Sequence, residues 1–294
     1  MKILVTGSLG HISKPLATTL VAANHNVTVI SSSEDKVAAI EAIGATPAIG
    51  SVTDIKFLTE AFTGANALYI MIPNDITSPD YRKYIAGIGS NYAEAIKASG
   101  VKKVVLLSSI GAHIDGGTGP ISGIHDVEQI FATLDGVDIK MLRPAFFYTN
   151  FLGNIDMVKH QGFLGGNYGP ESNIVMTHPN DIAEIAAFEL QQNFTGKTIR
   201  YIASDERTLA DVAAVLGAAI GKPDLKWVEF TNEQSLDGLL QAGLPNEFAR
   251  SYTEMGTAIK KQILWADYLQ HKPATLGQTK LEDFAKEFAA AYNK

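Results

Sequence analysis

Residues 3–14 read ILVTGSLGHISK, and this stretch determines the fold expected of the 294-residue chain. The β-branched run Ile3–Thr6 predicts a strand, two glycines bound a tight turn, and an apolar helical pattern follows from Leu16. A glycine turn between a strand and a helix is typical of a dinucleotide site, because backbone N–H groups and the helix dipole face the pyrophosphate. The residues predicted to bind it are Gly7, Ser8, Leu9, Gly10, His11 and Ile12.

Composition and charge limit the class of protein. The 46% hydrophobic and 19% charged residues are ordinary for a globular chain, and the net charge of −7 argues against direct nucleic-acid binding. Cysteine is absent, which excludes disulfides and thiol chemistry. No apolar stretch approaches the ~20 residues of a membrane span, and Met1-Lys2 leads directly into the first strand rather than into a signal peptide. We expect a cytoplasmic protein that contacts no membrane.

Strand-like and helix-like segments alternate through the first half of the chain, which predicts an α/β fold with a Rossmann-type, doubly wound parallel sheet. The predicted strands are Lys2–Thr6, Asn26–Ser31, Thr46–Ile49, Ala67–Ile72, Lys103–Leu107 and Asp138–Leu142. The predicted helices are Ile12–Ala23, Glu34–Ile43, Ile55–Phe62, Asp80–Ser99 and His125–Leu134. We expect residues 1–144 with 178–203 to form the dinucleotide-binding domain. Residues 145–177 with 204–294 are expected to form a smaller α+β lobe on the substrate side.

The end of the second strand indicates which dinucleotide binds. Ser31, Ser32 and Ser33 stand where NAD-specific proteins carry an acidic residue that accepts the ribose hydroxyls. The missing carboxylate removes repulsion of a 2′-phosphate, the serine hydroxyls could donate hydrogen bonds to it, and Lys14 or Lys36 could supply charge. This pattern favours NADP, with NAD as the alternative. The serines are also expected to cap the following helix.

Two more strand ends lie where ligands bind in open α/β sheets. Ile72 and Pro73 end the fourth strand, and Ser108 and Ser109 follow the fifth. We predict cofactor contacts for Ile72, Pro73 and Ser108, and a substrate-contacting, catalytic hydroxyl at Ser109. The alternatives are a plain strand terminator at the proline and turn serines that bond their own backbone.

Six segments carry a family resemblance: TGSLGHIS at 6–13, LLSSIGAH at 106–113, GTGPISGIHDVEQIF at 117–131, LRPAFFYTNF at 142–151, HPNDIAEIA at 178–186 and TLADVAAVLGAAIGKP at 208–223. With these segments the chain resembles the NmrA-like group of atypical short-chain dehydrogenases/reductases over nearly its whole length. The resemblance implies an NAD(P)-binding Rossmann sheet closed by a small C-terminal lobe. It implies either a reductase of quinones or triphenylmethane dyes, or an NAD(P)-sensing regulator.

Three departures from the family pattern bear on the reaction. Ser13 replaces the third glycine of the turn, and Ser32 stands where many members carry an arginine. The Tyr-x-x-x-Lys dyad of typical short-chain dehydrogenases is absent, and Ile124 and His125 lie near the place of its lysine. A phenol whose pKa is lowered by a lysine cannot be assembled there, which disfavours alcohol dehydrogenase and sugar epimerase chemistry.

His125 and Tyr148 are the candidates that could replace the dyad. His125 begins the predicted helix, and a histidine can serve as an acid or a hydrogen-bond donor, although a histidine bonded to a backbone carbonyl is the alternative. The resemblance implies that Tyr148 lines the nicotinamide and the substrate. Together with Phe146, Phe147 and Phe151 it would form a flat wall for a planar substrate, unless two of these aromatics pack the lobe junction.

No metal site is expected, since His178 and Asp181 lack a third ligand and Asp181 suits a helix N-terminus. For Glu128 we expect a salt bridge or a solvent-exposed position rather than a role as a general base.

The leading functional prediction is an NAD(P)H-dependent reductase that transfers hydride to a small planar conjugated acceptor, quinone-, dye- or enone-like. The first alternative is a non-catalytic NADP(H)-sensing regulator with a protein partner. A nucleotide-sugar epimerase is the weaker alternative.

Overall fold

The computed structural model describes all 294 residues, which form strands, α-helices and three short 3₁₀ helices. The strands are β1 Lys2–Val5, β2 Asn26–Ser31, β3 Thr46–Ile49, β4 Ala67–Ile70, β5 Lys103–Leu107, β6 Asp138–Pro144, β7 Phe146–Phe147, β8 Leu164–Gly166, β9 Asn173–Thr177, β10 Lys197–Ile202, β11 Asp205–Thr208 and β12 Trp227–Glu229. The α-helices are α1 Ser13–Ala22, α2 Val37–Ala42, α3 Ile55–Phe62, α4 Tyr81–Ser99, α5 Ile121–Ala132, α6 Ile155–Gln161, α7 Pro179–Gln191, α8 Leu209–Ala219, α9 Asn232–Gln241, α10 Asn246–Lys260, α11 Ala266–Gln270 and α12 Leu281–Tyr292. The 3₁₀ helices are Glu34–Lys36, Tyr148–Asn154 and Ile263–Trp265.

Seven parallel strands form the central sheet in the order β10-β6-β5-β4-β1-β2-β3. The direction of winding reverses between β1 and β4, and a crevice for ligands opens at the carboxyl ends of strands at such a point. The predicted doubly wound Rossmann-type fold is confirmed.

Helices cover both faces of this sheet, which is why its strands are almost continuously apolar. On one face α3, α4 and α5 bury side chains such as Phe62, Tyr92 and Phe131 against it. On the other face α1 packs against α7, and both contribute to a second core that includes Leu16 and Ile182. Residues 178–203 thus provide a covering helix and the edge strand β10.

The remaining elements form a lobe above the carboxyl edge of the sheet. It contains two small sheets, of order β11-β9-β7 and β12-β8, and a core of its own. The largest buried side chains of this core include Trp265, Tyr268, Phe284 and Phe288. No helix of the chain combines the length and the apolar character that crossing a membrane requires.

Helix α5 begins at Ile121, four residues before the predicted start at His125. Pro120 precedes it with a φ of −56°, a value that suits a helix start. Glycine has a low helix propensity, yet Gly123 lies within α5. A Cβ at this position would lie 2.8 Å from the Ile85 Cβ, so the close packing of α5 on α4 requires a residue without a side chain. His125 therefore lies in the second turn of the helix, and its predicted place at the helix start is wrong.

Candidate active site

The turn after β1 requires glycine at position 7. Gly7 has a φ of +91°, and a Cβ there would lie 2.6 Å from the Ser13 Oγ and 2.8 Å from the Met71 Cγ. Ser8 also adopts a positive φ, of 53°, and the Gly10 N–H closes the turn by donating to the Gly7 carbonyl at 3.1 Å. Only a residue without a side chain fits between β1, α1 and the chain after β4.

Ser13 takes the place of the third glycine without loosening the turn. Its side chain is buried, and its hydroxyl donates to the Thr6 carbonyl at 2.8 Å. This bond ties the first residue of α1 to the residue after β1, so a small polar residue serves the close helix–strand packing that glycine usually provides.

The start of α1 presents a set of unsatisfied donors. Four backbone N–H groups in this turn have no acceptor within the chain. They belong to Leu9, His11, Ile12 and Ser13. No acidic residue lies in the first turn of this helix. Free N–H groups at the positive end of a helix dipole form a site for an anion such as a pyrophosphate.

The serines after β2 differ in their surroundings. Ser31 is buried and accepts hydrogen bonds from the Ser8 hydroxyl at 3.0 Å and the Ser33 N–H at 3.2 Å. Ser32 is exposed, Ser33 is half-buried, and neither hydroxyl has a partner in the chain. Ser33 precedes the 3₁₀ helix but makes no side-chain capping bond. The expected capping by these serines is therefore wrong, and two hydroxyls stay available to a ligand.

The chain after β4 and β5 continues this edge of the sheet. The Met71 N–H donates to the Thr6 Oγ1 at 2.8 Å, which joins the ends of β4 and β1. Ile72 is buried and Pro73 half-buried at the same edge. Ser108 is buried, and its hydroxyl donates to the Glu128 carboxylate at 2.5 Å, so this hydroxyl is engaged inside the chain.

Glu128 lies in a buried salt bridge with Arg143, as expected of it. The guanidinium donates to both carboxylate oxygens, at 2.6 and 2.9 Å. Burial acts to lower the pKa of Arg143, but its bonds to Glu128 and Tyr201 outweigh burial and raise that pKa. Arg143 also reaches Asp267 of α11 at 3.2 Å, and Asp267 accepts from Tyr201. The network thereby fastens the lobe to the sheet beneath it.

A cavity of about 290 Å³ lies between the sheet edge and the lobe. Twelve of its sixteen lining residues are hydrophobic. The sheet side contributes Asn74, Tyr81, Ser109, Ile110, Pro120, Ile121 and Ile124, and the lobe contributes Ala145, Phe146, Phe147, Asn150, Phe248, Tyr252, Met255, Leu264 and Trp265. A space of this kind suits a small, flat, mostly apolar molecule.

The aromatic segment after β6 divides between the cavity and the lobe core. Phe146 and Phe147 line the cavity. Tyr148 is fully buried, stacks on Phe284 with ring centroids 5.4 Å apart, and donates to a backbone carbonyl at 3.4 Å. Phe151 packs edge-on against Trp227 in the same core. Burial raises the pKa of the Tyr148 phenol and keeps it neutral.

Of the other two predicted catalytic residues, Ser109 lines the cavity and His125 does not. Ser109 lines the cavity, and its hydroxyl donates to the Ile110 carbonyl at 2.9 Å. His125 pairs through Nδ1 with the Ala112 carbonyl at 2.9 Å, while its neighbour Ile124 faces the cavity. Of His125, Tyr148 and Ser109, the structure brings only the serine to the cavity, and their catalytic roles stay predictions.

Two polar cavity residues, Asn74 and Tyr81, were missed at the level of sequence. The part of the lobe wall that comes from α10 and the last 3₁₀ helix was missed as well. Tyr81, the first residue of α4, donates from its hydroxyl to the Asn74 Oδ1 at 2.6 Å. Burial, with smaller contributions from Tyr84 and Asp75, raises the pKa of Tyr81 to about 12. Their position after the fourth strand was a usable signal, since ligands bind at such ends.

His178 and Asp181 serve the start of α7. The His178 Nδ1 accepts from the Asn180 N–H at 3.1 Å, and its Nε2 pairs with Glu287 at the same distance. Asp181 accepts from the Thr279 hydroxyl at 2.9 Å. Both side chains hold α7 to the C-terminal segment.

A protein-family model matches the region that contains the glycine turn. Residues 7–134 match the family model described as NAD(P)H-binding. The match covers the glycine turn, the serines after β2 and the strand ends up to α5. Among curated protein sequences, none matches the chain.

Solved structures share the fold over nearly the whole chain. An NADPH-dependent quinone oxidoreductase from Escherichia coli is 22% identical, with 97% of this chain and 99% of that chain covered and a TM-score of 0.82. Triphenylmethane reductase from Citrobacter sp. is 21% identical, with 99% and 100% covered and a TM-score of 0.81. A nucleoside-diphosphate-sugar epimerase from Staphylococcus aureus is 18% identical, with 97% and 100% covered and a TM-score of 0.82. These likenesses establish the fold.

Proposed function

We propose that the protein is an NADPH-dependent reductase that transfers hydride to a small planar conjugated acceptor, such as a quinone, a dye or an enone. The observation that supports this function is the aromatic-lined cavity of about 290 Å³. It lies at the carboxyl edge of the sheet whose first strand carries the NAD(P)H-binding turn. Pockets for small molecules begin near ~300 Å³, so the space suits a compact ring system rather than a polymer.

The residues around the cavity are compatible with this reaction although α5 carries no tyrosine–lysine dyad. When bound, the dihydronicotinamide supplies a hydride. A conjugated acceptor delocalises the arriving charge, so it needs less protonation by the protein than a simple ketone. Phe146 and Phe147 orient its flat face. Asn74 and Asn150 are exposed at the cavity, so water reaches it and can supply the proton.

The choice of acceptor also draws support from the neighbouring folds. The quinone oxidoreductase and the triphenylmethane reductase are named for planar conjugated acceptors. The epimerase shares the fold equally well, but the missing dyad makes its chemistry the weaker proposal for this chain.

For the cofactor we propose NADP over NAD. The hydroxyls of Ser32 and Ser33 have no partner in the chain, and no carboxylate ends β2 to repel a 2′-phosphate. Lys14 and Lys36 are exposed and outside any ion pair, so both can approach the phosphate. The predicted contacts of Ile72 and Pro73 belong to the same proposal.

An NADP(H)-sensing regulator without turnover is the second candidate. The His125 Nδ1 and the Tyr148 hydroxyl are bonded within the chain, and neither residue lines the cavity. A protein of this kind would bind the dinucleotide at the same turn and pass the signal to a partner protein.

A turnover assay separates the reductase from the regulator. It follows the absorbance of the nicotinamide band while NADPH is incubated with a panel of quinones, enones and triphenylmethane dyes. We expect saturable, acceptor-dependent oxidation of NADPH. The variant Ile124→Trp, which fills the cavity, should abolish oxidation and retain NADPH binding, whereas Gln129→Trp, on the exposed face of the same helix, should retain both. Saturable NADPH binding without oxidation by any acceptor would contradict the reductase and favour the regulator.

A further inference from the structure

The apolar cavity has one polar corner whose geometry is held in place. Tyr81 and Asn74 both line the cavity, and the tyrosine hydroxyl donates to the Asn74 Oδ1 at 2.6 Å. The ring of Tyr81 is buried and packs edge-on against Phe248 of α10, with centroids 5.3 Å apart. A side chain held on both sides in this way can orient the amide to which it is bonded.

The bond from Tyr81 decides what Asn74 offers to a ligand. With its carbonyl oxygen engaged, Asn74 has only its amide N–H groups free, and these have no acceptor in the chain. Burial raises the pKa of Tyr81 to about 12, so the phenol stays a donor to this oxygen throughout the neutral range. The corner therefore presents hydrogen-bond donors and no anionic group.

The other polar groups of the cavity are less suited to this task. The Ser109 hydroxyl donates to the Ile110 carbonyl. Asn150 and Tyr252 also line the cavity, but no hydrogen bond within the chain fixes the direction of their polar atoms. An oriented donor loses less entropy on binding than a free one, which makes Asn74 the favoured contact.

We propose that Asn74, oriented by Tyr81, donates a hydrogen bond to a carbonyl oxygen of the acceptor, so that the cavity selects quinones and enones over flat acceptors without a carbonyl. This specificity rests on the proposed reductase function. Charge that arrives with the hydride collects on that oxygen, and a donor placed there stabilises it. Tyr81 acts as a positioning residue because it reaches the acceptor through Asn74.

Equilibrium dialysis without NADPH tests the contact independently of turnover. The two probes are menadione, a naphthoquinone, and methylnaphthalene, which has the same carbon skeleton and no oxygen. In Asn74→Asp the bond from Tyr81 is retained and the amide donors are lost, so menadione should bind roughly fivefold more weakly while methylnaphthalene is unaffected. Asn74→Leu should give the same result, and Tyr81→Phe a smaller loss.

The control is Tyr84→Phe on the same helix, which lies outside the cavity and should bind both probes as the wild type does. Unchanged menadione affinity in Asn74→Asp would overturn the proposal, and so would an equal loss for both probes. In turnover assays Asn74→Asp should raise KM for menadione by more than it changes KM for the reduction of a triphenylmethane dye, which has no carbonyl. If no acceptor oxidises NADPH, the proposed function fails whatever these affinities show.

Discussion

The exchange Ser32→Asp tests the cofactor proposal at the position where the sequence departs from NAD-specific proteins. Ser32 is exposed just beyond β2, and its hydroxyl has no partner in the chain. An aspartate therefore needs no repacking there. It would restore the carboxylate that accepts ribose hydroxyls in NAD-binding sheets and repel a 2′-phosphate.

The magnitude follows from Coulomb's law. Two unit charges about 4 Å apart repel by about 1 kcal/mol at the dielectric constant of water, and by about 4 kcal/mol in the lower dielectric near a protein surface. Because Ser32 is exposed, the lower figure applies, and a phosphate of nearly double charge brings the total to about 2 kcal/mol. This corresponds to NADPH binding weakened about 30-fold. NADH lacks the phosphate and should bind up to about fivefold more tightly through its ribose hydroxyls.

Titration of NADPH and NADH, followed by nicotinamide fluorescence at low and high salt, measures both affinities. The weakening for NADPH should shrink at high salt, since exposed charges are screened. Ser90→Asp adds the same charge on the exposed side of α4 and should leave both affinities unchanged. NADPH affinity that is unaffected by Ser32→Asp would refute the assignment of the serines to the 2′-phosphate.

Three other predictions follow from single contacts. Gly7 has a φ of +91°, and an added Cβ would lie 2.6 and 2.8 Å from its nearest neighbours, so Gly7→Ala should weaken NADPH binding at least about tenfold. At Gly10 the nearest neighbour of an added Cβ is 3.2 Å away, so Gly10→Ala should weaken binding less. Titration calorimetry with NADPH compares the two variants. Glu128→Leu removes both carboxylate bonds of the buried Arg143, which keeps only Tyr201 and Asp267, and should lower the free energy of unfolding in urea by about 3 kcal/mol. Adding Arg143→Met should recover part of this loss, and additive losses would contradict a coupled pair. Tyr148→Phe should change kcat less than about twofold, because its hydroxyl bond is long and buried; a loss above tenfold would support its predicted catalytic role.

Local signals explain why the first half of the chain could be read closely. The predicted strands Asn26–Ser31, Thr46–Ile49 and Lys103–Leu107 have the predicted bounds. A short run of β-branched or apolar residues followed by serine or glycine is a signal contained in a few neighbouring residues. The glycines after α2 and α4 are a local signal of the same kind, since each adopts the left-handed conformation that ends a helix, with φ of +81° at Gly44 and +74° at Gly100.

The cavity could not be predicted from local signals because the residues that line it are far apart in the sequence. Tyr81 and Phe248 meet edge-on at 5.3 Å although 167 residues separate them. Apolar residues on α10 predict only that one face of the helix is buried, not which neighbour it meets. The same limit applies to Tyr148, whose aromatic neighbours suggested a ligand wall and whose partner is Phe284 of α12.

The sequence by itself determined the parallel sheet, the glycine turn proposed to bind the dinucleotide and the lack of an acidic residue at the end of the second strand. Each of these depends on residues within one strand–turn–helix unit, where backbone geometry and helix electrostatics act over a few residues. Only the tertiary structure decided that Ser108 is engaged by Glu128, that Ser109 reaches the cavity, and that an oriented amide forms its polar corner. Those outcomes depend on packing between the sheet and the lobe, and a local sequence pattern does not identify which distant residues pack together.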